Sequence, residues 1–201
     1  MACWAMAVLA GIMLLAFYST SPGAAASDSS GTWPAGSAME RASGRSTLLM
    51  FAHPHCPCTR IALAELTETM ARSRGNLSTT VMFVRPNGVE AGWEKTSLWQ
   101  RAQAIPGVRV ECDAGGVEAA RFGAMTSGHV LLYDPQGELV FSGGITAGRG
   151  HGGDNPGRQA VLALSTGRAK GAASRWDVYG CPLASPAESS CSMEGADECG
   201  R

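Results

Sequence analysis

The chain has 201 residues, 45% of them hydrophobic, and a formal net charge of −1. That length holds one ordinary domain with attachments, and the near-zero charge leaves no electrostatic footprint for nucleic acid. The seven cysteines (Cys3, Cys56, Cys58, Cys112, Cys181, Cys191 and Cys199) are too few for a disulfide-built scaffold, but their uneven placement asks for an explanation.

Ala2 to Tyr18 carries no charge. As a helix it would reach roughly 26 Å, near the lower limit for crossing a bilayer. No Lys or Arg precedes Arg41, and Ala24-Ala25-Ala26 offers a small-residue cleavage site. Residues 1–26 are therefore expected to be a secretory signal or an uncleaved membrane anchor, a hydrophobic helix ahead of the folded domain. Either outcome puts the rest of the chain outside the cytoplasmic membrane, on the periplasmic side, where disulfides persist. Residues 27–45, dominated by Ser, Gly, Ala and Pro, read as a flexible linker.

The domain is expected over 46–183. Thr47 to Ala52 is a continuous apolar run, the signature of a strand covered on both faces. His53-Pro54-His55-Cys56-Pro57-Cys58 follows, then a helix with Leu63, Leu66 and Met70 on one face and Gly75 past its end. Ser78 to Val84 reads as a strand, and Glu90 to Ala104 as a helix with Leu98, Trp99, Ala102 and Ile105 on one stripe. Val108 to Cys112 reads as a strand and Gly116 to Phe122 as a short helix. His129 to Tyr133 and Leu139 to Ser142 flank Asp134-Pro135-Gln136-Gly137, a hairpin turn. Asn155 as cap, Pro156 at the first helical position and Gly167 past the end bracket a last helix. The order β-α-β-α-β-α-β-β-α implies an α/β fold with a mixed sheet and helices on both faces. The acidic, polar residues 184–201 read as a disordered, cysteine-containing tail.

Chemistry concentrates where the first strand feeds its helix. A helix N-terminus presents unpaired N–H groups and a positive dipole end, which stabilise a thiolate, the form that attacks disulfides. Pro57 suits the first turn because its missing N–H costs nothing there. His53 and His55 add positive charge or relay protons. Cys56 and Cys58 are therefore the candidate catalytic residues.

Phe51-Ala52-His53-Pro54-His55-Cys56-Pro57-Cys58-Thr59-Arg60 resembles the active-site loop of the thioredoxin superfamily, and Asp134-Pro135-Gln136-Gly137 resembles that family's hairpin turn. With Thr126-Ser127-Gly128, Ser142-Gly143-Gly144-Ile145-Thr146, Arg149-Gly150-His151 and Tyr179-Gly180-Cys181-Pro182-Leu183, the chain is similar more narrowly to bacterial RedB-type thioredoxin-like proteins. The resemblance implies a thioredoxin-like fold and a redox theme, not a substrate; the function expected here is thiol–disulfide exchange with protein thiols through Cys56 and Cys58, with no cofactor. Two departures stand out. One residue separates the cysteines instead of two, so a Cys56–Cys58 bridge needs a non-helical turn and would be strained and oxidising. Alternatively, Cys58 matches the family's second cysteine, His55 stands in the place of the first, and Cys58 needs another partner such as Cys181. Gly128 stands where the family's cis-proline is expected, so Thr126, Ser127 and Gly128 are supporting candidates in a different substrate-facing loop.

Rival readings use the same residues. His53, His55, Cys56 and Cys58 are soft donors within six residues and would suit a Cu(I) carrier on this fold. A non-catalytic interaction domain with merely structural thiols is the third reading. Elsewhere the plainer accounts lead: Cys112 as a small apolar residue, Cys3 inert, Cys191 paired with Cys199, His129 as a core or turn residue, and Trp93 and Trp99 in the core. Arg149, His151, Asp154 and Asn155 read as a helix-capping loop.

Overall fold

The computed structural model describes residues 2–24, 31–169 and 174–183. Cys191, Cys199 and the expected tail lie outside the described residues. Six strands form one mixed sheet in the order β3-β2-β1-β4-β5-β6. β1 (Ser46–Ala52), β2 (Leu77–Arg85) and β3 (Val108–Ala114) run parallel, as crossover connections through helices require. β4 (His129–Tyr133) joins β1 antiparallel, and β5 (Leu139–Gly143) folds back on β4. This is the thioredoxin-like arrangement, extended at the β5 edge by β6 (Ser174–Arg175), a pair of residues the sequence did not announce.

Alternation along the strands divides the core. Leu48, Met50, Val81, Phe83, Val130, Leu132 and Phe141 face α2 (Pro57–Ser73), α3 (Ser97–Gln103) and α5 (Pro156–Ser165). Leu49, Phe51, Met82, Val84, Leu131 and Tyr133 face α4 (Val117–Arg121) and the segment before β1. β1 lies between β2 and β4 and is buried at every position, which explains its unbroken apolar run. Each fully buried large side chain contributes roughly 1.5–3 kcal/mol.

Two expectations need correction. The helix expected from Glu90 begins only at Ser97. Residues 90–95 form turns, and Thr96 caps α3 by accepting the Leu98 N–H at 3.2 Å. Trp93, expected in the core, consequently lies outside it, while Trp99 stays in it. The linker is packed over part of its length. Trp33 donates its N–H to the Gly137 carbonyl at 2.9 Å and meets Phe122 and Tyr133 edge-on. Met39 is buried in the same cluster. The physical reason is the apolar surface of that sheet face, which α4, only five residues long, does not cover.

The N-terminal apolar run is a helix, α1 (Ala2–Thr20), whose side chains from Cys3 to Tyr18 are exposed. Its Cys3–Thr20 stretch is long and apolar enough to cross a membrane.

Candidate redox site

Cys56 is the N-cap residue of α2, in extended backbone conformation, with Pro57 at the first helical position. The cap is set by sequence: Pro57 disfavours helical conformation at Cys56 and itself needs no N–H partner there. The loop ahead of it is clipped in place. Ser127 Oγ accepts the His53 N–H at 2.8 Å and lies 2.8 Å from Thr59 Oγ1, which donates to the His53 carbonyl at 3.1 Å. Gly128 N–H donates to Phe51 O at 2.8 Å. Thr126, Ser127 and Gly128 thus hold the cysteine loop from the side.

Cys181 arrives from the far end of the domain. The 181–183 segment lies antiparallel against 125–127: Ser127 N–H donates to Cys181 O at 2.8 Å, Leu183 N–H donates to Met125 O at 3.0 Å, and Thr126 bridges Pro182. The backbone edge expected to face substrate is therefore taken by the chain's own 181–183 segment. Gly180 makes the approach feasible, because a Cβ there would sit 2.0 Å from the Ser127 carbonyl oxygen. The result is a Cys56 Sγ–Cys181 Sγ separation of 2.8 Å, with the Cys181 N–H 3.4 Å from Cys56 Sγ. The thiol that meets Cys181 is thus Cys56, not Cys58.

The three sulfurs are not equivalent. Cys56 is 1% exposed; Cys58 and Cys181 are half-buried. Burial alone pushes the Cys56 thiol up. Hydrogen bonds from the Cys181 side chain and from the N–H groups of Cys181, Thr59 and Cys58 outweigh it and bring the net pKa below the ordinary thiol value. Burial raises Cys58 and Cys181, and each is raised further by its contact with Cys56. Arg149 lowers both in part, and the Gly150 N–H also favours a Cys58 thiolate. The arrangement therefore defines one thiolate position, Cys56, flanked by two S–H donors.

The histidines lie to one side. Trp93 meets His53 edge-on at a centroid distance of 5.6 Å and His55 at a tilt at 4.4 Å, and His53 Nδ1 accepts the His55 N–H at 3.2 Å. Burial, and then the charge of His55, lowers the His53 pKa. Among the described residues no group of three or more His, Cys, Asp or Glu side chains is arranged to hold a metal.

Sequence reading named Thr59, Gly180 and Arg149 only within the family-like runs and Trp93 only as core, with no role at the site. Arg149 leaves the capping loop to lie beside the sulfurs, whereas Asn155 does cap α5, accepting the Arg158 N–H at 2.7 Å. His129 is core, as expected, with its ring 2.9 Å from Ser142 Oγ. Cys112 is half-buried against the α2 and α3 side of the sheet.

No family model and no curated protein matches the chain. Among solved structures, a hypothetical protein from Sinorhizobium meliloti superposes with a TM-score of 0.53 at 24% identity, over 69% of this chain and 78% of its own. An uncharacterized conserved protein from Geobacillus kaustophilus gives 0.55 at 18% identity, over 72% and 79%. These similarities are of fold. A secreted disulfide oxidoreductase from Mycobacterium tuberculosis gives 0.39 at 21% identity, over 49% and 68%, a similarity from which no detail of a site follows.

Proposed function

We propose that the chain is an extracytoplasmic thiol–disulfide oxidoreductase, held by its apolar helix and acting on protein thiols, with Cys56 as the central sulfur. The observation that carries this reading is the convergence of Cys181 on a helix-capping Cys56 across 125 residues of chain. In the oxidised protein Cys56 and Cys181 are joined. A partner's thiolate attacks Cys181 Sγ, the more accessible sulfur, and the bond to Cys56 breaks. Cys56 leaves as the thiolate that the surrounding N–H groups stabilise, and the lower-pKa thiol is the better leaving group. A second partner thiolate then attacks the partner's own sulfur in the mixed disulfide. Cys181 departs and takes up a proton, because its pKa is high. The partner dithiol has lost two electrons and the protein disulfide has gained them; the same steps run backwards when the partner is the disulfide. Cys58, next along the helix, donates its S–H to the Cys56 thiolate and is the second thiol able to take over that sulfur.

Thiol trapping tests this. Single Cys→Ser variants are given a reduced protein dithiol, and mixed disulfides are located by mass. Cys56→Ser and Cys181→Ser should lose exchange to below about a hundredth of wild type, since neither leaves the pair complete. Cys58→Ser should retain exchange at a reduced rate. Wild-type exchange in both the Cys56 and Cys181 variants would sink the reading.

A further inference from the structure

The chain just after α1 does not leave the domain as a free tether. It crosses the loops around the cysteines as a strap, residues 18–24. Ser19 O accepts the Arg149 N–H at 2.9 Å, Ser21 O accepts Arg149 Nε–H at 3.1 Å, and the guanidinium lies 5.1 Å from the centre of the Tyr18 ring. The other arm of the same guanidinium donates to the Gly180 carbonyl, next to Cys181. Further on, Gly23 N–H donates to Val178 O at 2.8 Å, and Thr126 Oγ1 donates to Ala24 O at 3.0 Å. A Cβ on Gly23 would sit 2.4 Å from Thr126 Cγ2, so the fit admits only glycine without displacement. Pro22, Gly23 and Ala24 also roof a cavity of about 260 Å³ whose floor is the His129–Ser142 pair.

We propose that the apolar helix is retained in the working protein and that the strap following it is part of the redox site, with Arg149 as the positioning residue it holds against Cys58 and Cys181. This rests on the reading of the cysteine cluster as the exchange site. A cut at the small residues 24–26 would release the strap's hydrogen bonds and leave the backbone N–H of Arg149 and Val178 O to water. Arg149 would then be free to turn its charge away from the sulfurs, since the Ser21 carbonyl and the Tyr18 ring that hold its guanidinium belong to the strap, leaving the Gly180 carbonyl as its remaining partner. The other titratable groups at the cluster are Cys56 itself, and His151, whose ring meets the Arg149 carbonyl at 2.8 Å. His53 and His55 pack against Trp93. Arg149 is therefore the permanent cation of this corner.

The test uses the full chain extracted from bacterial membranes in detergent and reduced. Its intact mass gives the N-terminus, and pH-dependent alkylation, read at Cys58 and Cys181 by mass, gives the thiol titration. The expected result is an N-terminus upstream of the strap. Arg149→Ala should slow labelling of both thiols about tenfold at a given pH below their titration, equivalent to about one pH unit. Arg149→Lys should restore part of it, and Gly23→Ala should shift the profile the same way as Arg149→Ala. A mature chain beginning at or beyond Ala24 overturns the proposal, and so does an unshifted profile in either Arg149→Ala or Gly23→Ala. Alkylation needs no protein partner. Wild-type protein that shows these shifts but exchanges no disulfides would therefore overturn the exchange reading while the strap's grip on the thiols stands.

Discussion

Removing Glu65 should cost the domain more than any exposed charge change. Glu65 on α2 and Arg158 on α5 pair with both side chains 6% exposed, and Glu65 Oε1 also accepts the Gly153 N–H at 2.6 Å. Glu65→Ala leaves a buried guanidinium without its main partner, which costs about 3–5 kcal/mol, while the N–H of the exposed Gly153 turns to water at little further cost. Asp154 remains 2.9 Å from Arg158 Nη2 and, being 88% exposed, returns a modest part. The expected net loss is about 4 kcal/mol, a large share of the 5–15 kcal/mol typical of a domain. Glu65→Gln, which keeps the shape and the Gly153 contact, should lose about half as much. Replacing both partners, Glu65→Met with Arg158→Met, should cost less than Glu65→Ala alone, because no charge is stranded. Urea unfolding of the reduced protein at neutral pH and constant detergent measures all three. A Glu65→Ala loss within about 1 kcal/mol of zero, or a double variant whose cost equals the sum of its singles, would refute the reasoning.

Gly180→Ala should keep the fold but push Cys181 away from Cys56, because the added Cβ meets the Ser127 carbonyl oxygen at 2.0 Å; a normal yield of the intramolecular disulfide would count against the assigned close approach. His129 is 1% exposed, and burial lowers its pKa from 6.5 to about 4. The unfolded chain therefore takes this proton first as pH falls. The contribution is complete above pH 6.5, and about 3 kcal/mol is lost on the way down to the folded value. His129→Gln should flatten that part of the stability curve, and an unchanged slope would show the acid sensitivity lies elsewhere. The double variant His53→Ala, His55→Ala should retain measurable exchange at raised pH, since the imidazoles pack against Trp93 and only tune the thiolate. Stoichiometric copper in wild type that vanishes in this variant, with no exchange in either protein, would favour the Cu(I) carrier.

The parts of this molecule governed by local rules were legible. The unbroken apolar run of β1, the Pro57 start of α2, the Asp134–Gly137 turn and the Asn155 cap each depend on residues a few positions apart. The failures are long-range. Leu98, Trp99 and Ala102 are true helix-face residues, but the periodicity ran back through Gly92 and Glu90, where turns precede the Thr96 cap. Nothing local distinguishes Trp33 or Met39 from linker, because only the bare sheet face they cover makes them core. Cys181 was recognisable as a partner, yet which thiol it meets depends on Gly180 clearing Ser127. Arg149 looked like loop because its contacts lie about 130 residues earlier, in the strap.

The 125-residue separation of Cys56 and Cys181 also orders events in time. A chain emerging N-terminus first presents Cys56 and Cys58 long before Cys181, and the three-thiol cluster stays incomplete until the 181–183 segment docks on Met125 and Ser127. Oxidation before that moment joins the neighbours or a foreign thiol; afterwards it joins the ends of the domain. Closing so long a loop removes about 5 kcal/mol of freedom from the unfolded chain in the chain-entropy account. By linkage, the fold that holds these sulfurs together makes their oxidation more favourable by the same amount, on the order of 100 mV. The redox state of this protein is thus a report on whether its 181–183 segment has arrived.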